Sequence, residues 1–157
     1  MGQEIEHKYL VRKDLWYAIQ KPDGVSIRQG YLHTDSNKTI RIRTAGKDAF
    51  ITIKGPSHNA SRAEFEYPIP LKEAEELMQL CTLPLIDKIR YHVEFAGKRW
   101  DVDEFFGDNE GLIMAEIELV FLEEKYDLPA WIGEDVTHDN RYYNSYLAAH
   151  PFSTWKE

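Results

Sequence analysis

In the stretch QEIEHKYLV, Glu4, Glu6 and Lys8 alternate with Ile5, His7 and Tyr9, so an extended strand would carry two carboxylates and an ammonium on one face. The same two-residue spacing recurs down the chain, with the signs of charge sorted. TIRIRT sets Arg41 and Arg43 against Ile40 and Ile42, and FITIK sets Thr52 and Lys54 against Ile51 and Ile53. SRAEFEY places Arg62, Glu64 and Glu66 on one phase, and DKIRYHV does so with Lys88, Arg90 and His92. KRWDVDEF carries Asp101 and Asp103, and MAEIELV carries Glu116 and Glu118. Carboxylates are hard oxygen donors suited to Mg²⁺ or Mn²⁺. Guanidinium and ammonium groups match phosphate oxygens. Metal plus polyphosphate is the ligand that answers both sets.

Two arrangements could hold such strands. An antiparallel sheet with one face in water would show a polar phase on every strand, but such a face normally mixes signs, because adjacent like charges are unfavourable. Residues two apart on a strand lie about 6.6 Å from one another. A like pair at that distance repels by roughly 2–3 kcal/mol at an effective dielectric near 20, and by well under about 1 kcal/mol in water. Sorted signs therefore point to an enclosed place with counterions. About eight strands can close into a barrel whose interior holds one small ligand, with the apolar phases turned outward beneath helices.

The elements that must position these groups are mostly strands. Counting SIRQGYL, about eight are expected, separated by turn signals such as KPDGV, KGPSHN and YPIP. Helical periodicity is scarcer. LKEAEELMQL sets Leu71, Ala74, Leu77 and Met78 against Glu73, Glu75 and Glu76. A second helix is expected after DVTHDN, capped by Thr137 or Asp139, with Tyr143, Tyr146 and Leu147 at helical spacing. This makes an α+β domain dominated by antiparallel sheet.

Length and composition fit one domain spanning residues 1–157. A formal net charge of −8 argues against nonspecific nucleic-acid binding, which rests on basic surface. Cys81 is the sole cysteine and cannot form an internal disulfide. No signal-like or membrane-spanning apolar run is evident, so the expectation is a cytoplasmic protein without a membrane partner. The sequence leaves the oligomeric state open.

At this point the chain resembles the CYTH superfamily of triphosphate tunnel metalloenzymes, whose hallmark is an amino-terminal Glu-x-Glu-x-Lys strand. EIEHK matches it at Glu4, Glu6 and Lys8, and the likeness continues through RQGYL, RIR, TIK, SRAEFE, DKIRY, DVDEF, AEIEL and GEDVTHDNRYYN. The resemblance implies an eight-stranded antiparallel β-barrel, or tunnel, with flanking helices, holding one or two Mg²⁺ or Mn²⁺ ions and gripping a small-molecule triphosphate. It implies Glu4, Glu6, Glu116 and Glu118 as metal ligands, with Glu64, Glu66 and Asp103 holding a second metal or the attacking water. Asp103 ranks ahead of Asp101, which shares its face. Arg41, Arg43, Lys54, Lys88 and Arg90 would bind phosphate, with Arg62 beside them. Lys8 is either a phosphate-binding cation or a proton-transfer group with Tyr31, and Arg141 is a candidate for closing one tunnel end.

The leading activity is hydrolysis of inorganic tripolyphosphate to pyrophosphate and phosphate. Alternatives are a nucleoside or thiamine triphosphatase, a class IV adenylate cyclase, and a non-catalytic polyphosphate-binding module.

Overall fold

The computed structural model describes residues 2–155, so the outermost ends of the expected 1–157 domain lie outside the described residues. The alternating stretches all form strands. In chain order the elements are β1 (Gly2–Val11), α1 (Lys13–Ala18), β2 (Val25–Thr34), β3 (Thr39–Ala45), β4 (Asp48–Lys54) and β5 (Ser61–Pro68). There follow α2 (Leu71–Met78), β6 (Thr82–Phe95), β7 (Lys98–Phe106), β8 (Ile113–Glu118), β9 (Ile132–Asp135) and α3 (Asn144–Ala149). Local chemistry sets the reversals. Between β6 and β7, Ala96 and Gly97 both have positive φ, 51° and 80°, as a two-residue hairpin of primed type requires.

The strands are antiparallel in the order β5-β4-β3-β2-β6-β7-β8-β1, and β1 pairs back onto β5 from Gly2↔Glu64 to Ile5↔Ser61. That pairing closes an eight-stranded barrel. The ninth strand, β9, was not foreseen as such and lies outside the closure. It takes over the same edge of β1 beyond β5, with Tyr9↔Asp135 and Val11↔Ile132. A full-length first strand thus divides one edge between two partners.

The outward phases are covered in two places. Trp16 of α1, Trp100 and Val102 of β7, Ala115 and Ile117 of β8, and Trp131 form one buried cluster with Tyr9 and Val11 of β1. Trp16 packs edge-on to Trp131 with ring centroids 5.0 Å apart, and its indole N–H donates to Glu104 at 2.7 Å. The short α1 gave little periodic signal, since one buried residue, Trp16, anchors it. On the other side, Ala74 and Met78 of α2 pack with Cys81 against Ile42 and Ala49, the apolar helix face that the sequence predicts. Gly30 is needed there, because a Cβ on it would meet the Leu85 Cδ2 at 2.6 Å and the Cys81 Cβ at 2.8 Å.

A third cluster fills one end of the interior. Lys8, Lys88, Asp103 and Glu116 are each followed or preceded at two residues' distance by an apolar residue on the same phase: Leu10, Ile86, Phe105 and Met114. Those four pack with Tyr31, Leu112, and Leu147 and Ala148 of α3 into an apolar floor. No helix among the described residues is long and apolar enough to cross a membrane.

Candidate active site

The remaining interior is a cavity of about 260 Å³ into which every candidate named from the sequence projects, except Asp103 and Arg141. Cross-strand register explains the first exception. Asp103 lies directly opposite Arg90 on β6, and its carboxylate accepts hydrogen bonds from Arg90 Nε at 2.7 Å, Arg90 Nη2 at 2.8 Å and Lys88 Nζ at 2.8 Å. Burial opposes its ionisation, but Arg90 and Lys88 outweigh that and hold it far below the usual carboxylate range. Asp103 lies behind the cations, and Asp101, ranked second from the sequence, lines the cavity in its place.

Acidic groups occupy one side of the cavity. Glu4, Glu6 and Lys8 come from β1, Glu116 and Glu118 from β8, and Glu64 and Glu66 from β5. Register brings Glu6 opposite Glu118 and Lys8 opposite Glu116. Glu6 is pushed up to about 8 by burial and by the charges of Glu116 and Glu4. Burial also raises Glu64, helped by Glu4 and Glu66, and raises Glu118, helped by Glu4, Glu64 and Asp101. Glu4 and Glu116 are the exceptions: burial works against their charge, but Lys54 Nζ, 2.9 Å from Glu4 Oε1, and Lys8 and Arg90 beside Glu116 hold them ionised. Taken together, this side is short of positive charge.

The opposite side has the converse imbalance. Arg43 is pushed down to about 9 by burial and by Arg41 and Arg90. Burial depresses Lys88 as well, with Arg90 and Arg43 adding to it despite Asp103. Arg41 is only 7 % exposed, and its Nε is buried without a hydrogen-bond partner among the described residues. Its Nη2 donates to Thr52 Oγ1 at 3.1 Å and stands 3.6 Å from Glu66. A buried guanidinium with a free donor is costly unless a ligand completes it. Arg62 donates to the Gly55 carbonyl at 3.0 Å while lining the cavity.

Lys8 is held as a cation. Burial works against its charge, but Glu116, 3.0 Å away, together with Glu6 and Glu4, keeps it protonated above the ordinary lysine range. Its Nζ also donates to the Tyr142 carbonyl at 3.3 Å. Of the two roles open from the sequence, this favours the fixed cation. Tyr31 lines the cavity and at the same time belongs to the apolar floor.

Other contributors gave no periodic signal. Gln29, fully buried, accepts from Arg43 Nε at 2.8 Å and donates to Asn144 Oδ1 at 3.1 Å, which also accepts from Lys88 at 3.1 Å. Thr137 accepts from the Lys8 backbone N–H at 2.9 Å, which fixes β1 where the barrel edge passes from β5 to β9. Neither Thr137 nor Asp139 caps α3, whose N-cap position is Tyr143 without a side-chain cap; Asp139 instead caps the short turn Asn140–Tyr142, accepting from the Arg141 N–H at 3.1 Å. Arg141, however, does not close the cavity. Its guanidinium folds back on Asp139 at 2.7 Å on the surface, and Tyr143, Asn144 and Ser145 are what close that end.

The residues suit a hard divalent cation. Among the described residues no three acidic, histidine or cysteine side chains converge as a ready-made ion cage. Mg²⁺ rarely needs one, because it keeps several waters and is bound by one or two carboxylates plus substrate phosphates. The raised carboxylates of Glu6, Glu64 and Glu118 are the donors that such an ion would relieve.

Comparison with known proteins agrees with this arrangement. Residues 2–145 match the family described as the CYTH domain. The chain is 46 % identical, over all of both chains, to an inorganic triphosphatase of Acetivibrio thermocellus. It is 35 % identical to an inorganic triphosphatase of Nitrosomonas europaea, covering 92 % of this chain and 96 % of that one. A crystal structure of an inorganic triphosphatase superposes with a TM-score of 0.65 at 31 % identity, covering 92 % of this chain and 97 % of the other. A putative adenylate cyclase from Bacillus halodurans, at 18 % identity and a TM-score of 0.60 over 100 % of this chain and 95 % of that one, shares the fold.

Proposed function

The chain belongs to the CYTH domain family, and on that premise we propose that it is a metal-dependent triphosphatase that hydrolyses inorganic tripolyphosphate to pyrophosphate and phosphate. The observation that carries this reading is the pair of opposite charge imbalances in one cavity. Crowded carboxylates outnumber the cations on one side, and on the other Arg41 keeps a buried Nε without a partner among the described residues while Arg43 is crowded by Arg41 and Arg90. A polyphosphate arriving with a divalent ion answers both at once. The whole chain, residues 1–157, is read as a single domain.

Glu4, Glu6, Glu116 and Glu118 would hold Mg²⁺ or Mn²⁺, which neutralises phosphoryl charge and lowers the pKa of bound water. Arg41, Arg43, Lys54, Arg62 and Arg90 bind and align the phosphates, and forked guanidinium contacts fix their orientation. Gln29 and Asn144 hold Arg43 and Lys88 in place beneath them. Glu64 and Glu66 accept hydrogen bonds from the attacking water and aim it at the terminal phosphorus. Lys8 stays protonated and stabilises charge developing on the phosphate oxygens. Asp103 acts as the counterion that keeps Arg90 charged and holds Lys88 in place, a supporting part instead of the ligand role that the resemblance implied.

The test is phosphate release from tripolyphosphate, ATP, thiamine triphosphate and pyrophosphate with Mg²⁺, Mn²⁺ or EDTA, cyclic AMP being assayed in the ATP samples. Metal-dependent cleavage that favours tripolyphosphate supports the proposal. Preference for an organic triphosphate, or cyclic AMP formation, replaces it with one of the alternatives. Triphosphate binding without turnover makes the protein a binding module.

A further inference from the structure

The triphosphate cavity adjoins a second, outer pocket of about 470 Å³, and Tyr143 is the one aromatic residue among the six that line both, with Thr39, Ser57, Ala60, Arg62 and Ser145. The outer pocket has a different character. Its wall carries Tyr146 and His150, stacked with ring centroids 4.2 Å apart at 20°, along with Asp35, Ser36 and Asn140. Beyond Arg62 at the shared border, such a lining suits the ring and hydroxyls of a group esterified to a triphosphate. An organic group on the terminal phosphate has no place among the charges of the inner cavity, and this adjoining pocket offers it an aromatic and polar wall.

Tyr143 stands between the two and is held from three sides. Its hydroxyl is 3.2 Å from Ser57 Oγ, across from the link between β4 and β5. Its ring lies 5.0 Å from Lys8 Nζ and 6.0 Å from the Arg62 guanidinium carbon, so cations already occupy the ring's neighbourhood. The anchor on the far side is firm as well. Ser57 immediately precedes a tight reversal in which His58 and Ser61 exchange backbone hydrogen bonds of 2.6 and 2.9 Å, with Asn59 and Ala60 at φ 52° and 67°. That reversal is tied to β1 by the Glu6 N–H, which donates to the Ala60 carbonyl at 3.2 Å.

Resting on the triphosphatase reading, we infer that Tyr143 is a specificity-determining residue: its ring, latched to Ser57, partitions the two pockets and excludes triphosphates that carry an organic group. Truncation joins the outer pocket to the cavity and admits them.

The experiment compares Kd values for imidotriphosphate and adenylyl imidodiphosphate, with Mn²⁺, in the full-length protein and in Tyr143→Ala, Tyr143→Leu and Tyr143→Phe, alongside turnover of tripolyphosphate and ATP. The preference for the inorganic ligand is expected to fall by about tenfold or more in Tyr143→Ala, the scale on which one pocket contact discriminates. It should fall less in Tyr143→Leu and stay within about threefold in Tyr143→Phe, which keeps the ring. An unchanged preference in Tyr143→Ala overturns the inference. Should that variant melt below the assay temperature, an unchanged preference in Tyr143→Leu does the same. Because the readout is binding, the two proposals fail separately. Wild-type protein that binds but hydrolyses neither substrate sinks the triphosphatase reading and leaves the Tyr143 inference to its Kd ratios. Wild-type protein that binds neither analogue, or binds the nucleotide equally well, overturns the inference directly.

Discussion

Asp103 and Glu6 are both carboxylates on inward phases of the same barrel, yet they end in opposite electrostatic states. Asp103 meets two cations at hydrogen-bond distance and is held ionised. Glu6 meets Glu118 across the strand and Glu4 and Glu116 nearby, and is pushed up to about 8. The difference teaches that facing inward does not make a carboxylate a metal ligand. What stands on the neighbouring strands decides it: Asp103 has its counterions built in, and Glu6 has no ion-pair partner among the described residues.

Glu116 joins the two regions, since it faces the cavity and also pairs with Lys8 at 3.0 Å. Glu116→Gln is expected to have the largest effect, lowering metal-dependent phosphate release by at least about 100-fold, at or beyond the upper end of losses seen for groups that only support a ligand. A loss confined to KM for the metal would tie Glu116 to the ion alone.

Asp103→Asn should act mainly on stability. Removing one partner of a buried ion cluster leaves uncompensated charge and costs roughly 3–5 kcal/mol, read from urea unfolding in EDTA. If the variant kept its stability and lost only metal affinity, Asp103 would be a ligand after all, and the contrast with Glu6 would collapse.

A third, smaller effect concerns pH. The folded-state pKa of Glu6 is raised from 4.5 to about 8, so between those values the folded state holds a proton that the unfolded chain has released. Stability of the metal-free protein should therefore fall as pH rises from about 5 to about 8, with Glu64 and Glu118 acting in the same direction. Asp103, whose pKa is depressed, contributes stability that is lost only as pH falls below the ordinary carboxylate range, so it is constant across this window. Melting in EDTA across pH 5–8 measures the slope. Glu6→Gln should flatten it, and Mn²⁺ should raise Tm more at the alkaline end. The smallest effect is expected for Arg141→Ala, which should leave turnover and Tm essentially unchanged, because that guanidinium pairs with Asp139 away from the cavity.

Much of this was legible in the sequence because alternation reports which face of a strand a side chain occupies. The charged series from Glu4 to Glu118, the outward apolar phases and the helix at Leu71–Met78 all followed from spacing. Depth and register did not. Asp101 and Asp103 share a face, and only the pairing of Asp103 with Arg90 reveals which one is neutralised. The apolar floor was hidden because Leu10, Ile86, Phe105 and Met114 continue inward phases that began as charged ones. Gln29, Tyr143 and Asn144 stand alone in their segments, so no period could mark them. Arg141 had the right chemistry and the wrong direction, which a turn decides and a spacing cannot.

The closure of the barrel has a kinetic side. The first ten-odd residues meet their partners at Ser61–Glu64, Met114–Glu118 and Ile132–Asp135, so β1 can dock only after most of the chain has been made and paired. Contacts this distant in sequence slow folding, since the entropy of closing long loops must be met before they form. β1 supplies Glu4, Glu6 and Lys8 to the cavity, and its pairing with β5 and β8 closes the barrel around it. A partly folded chain therefore holds no partial catalyst, and in pulse-labelled refolding, affinity for triphosphate should emerge with the last protected amides, those of β1.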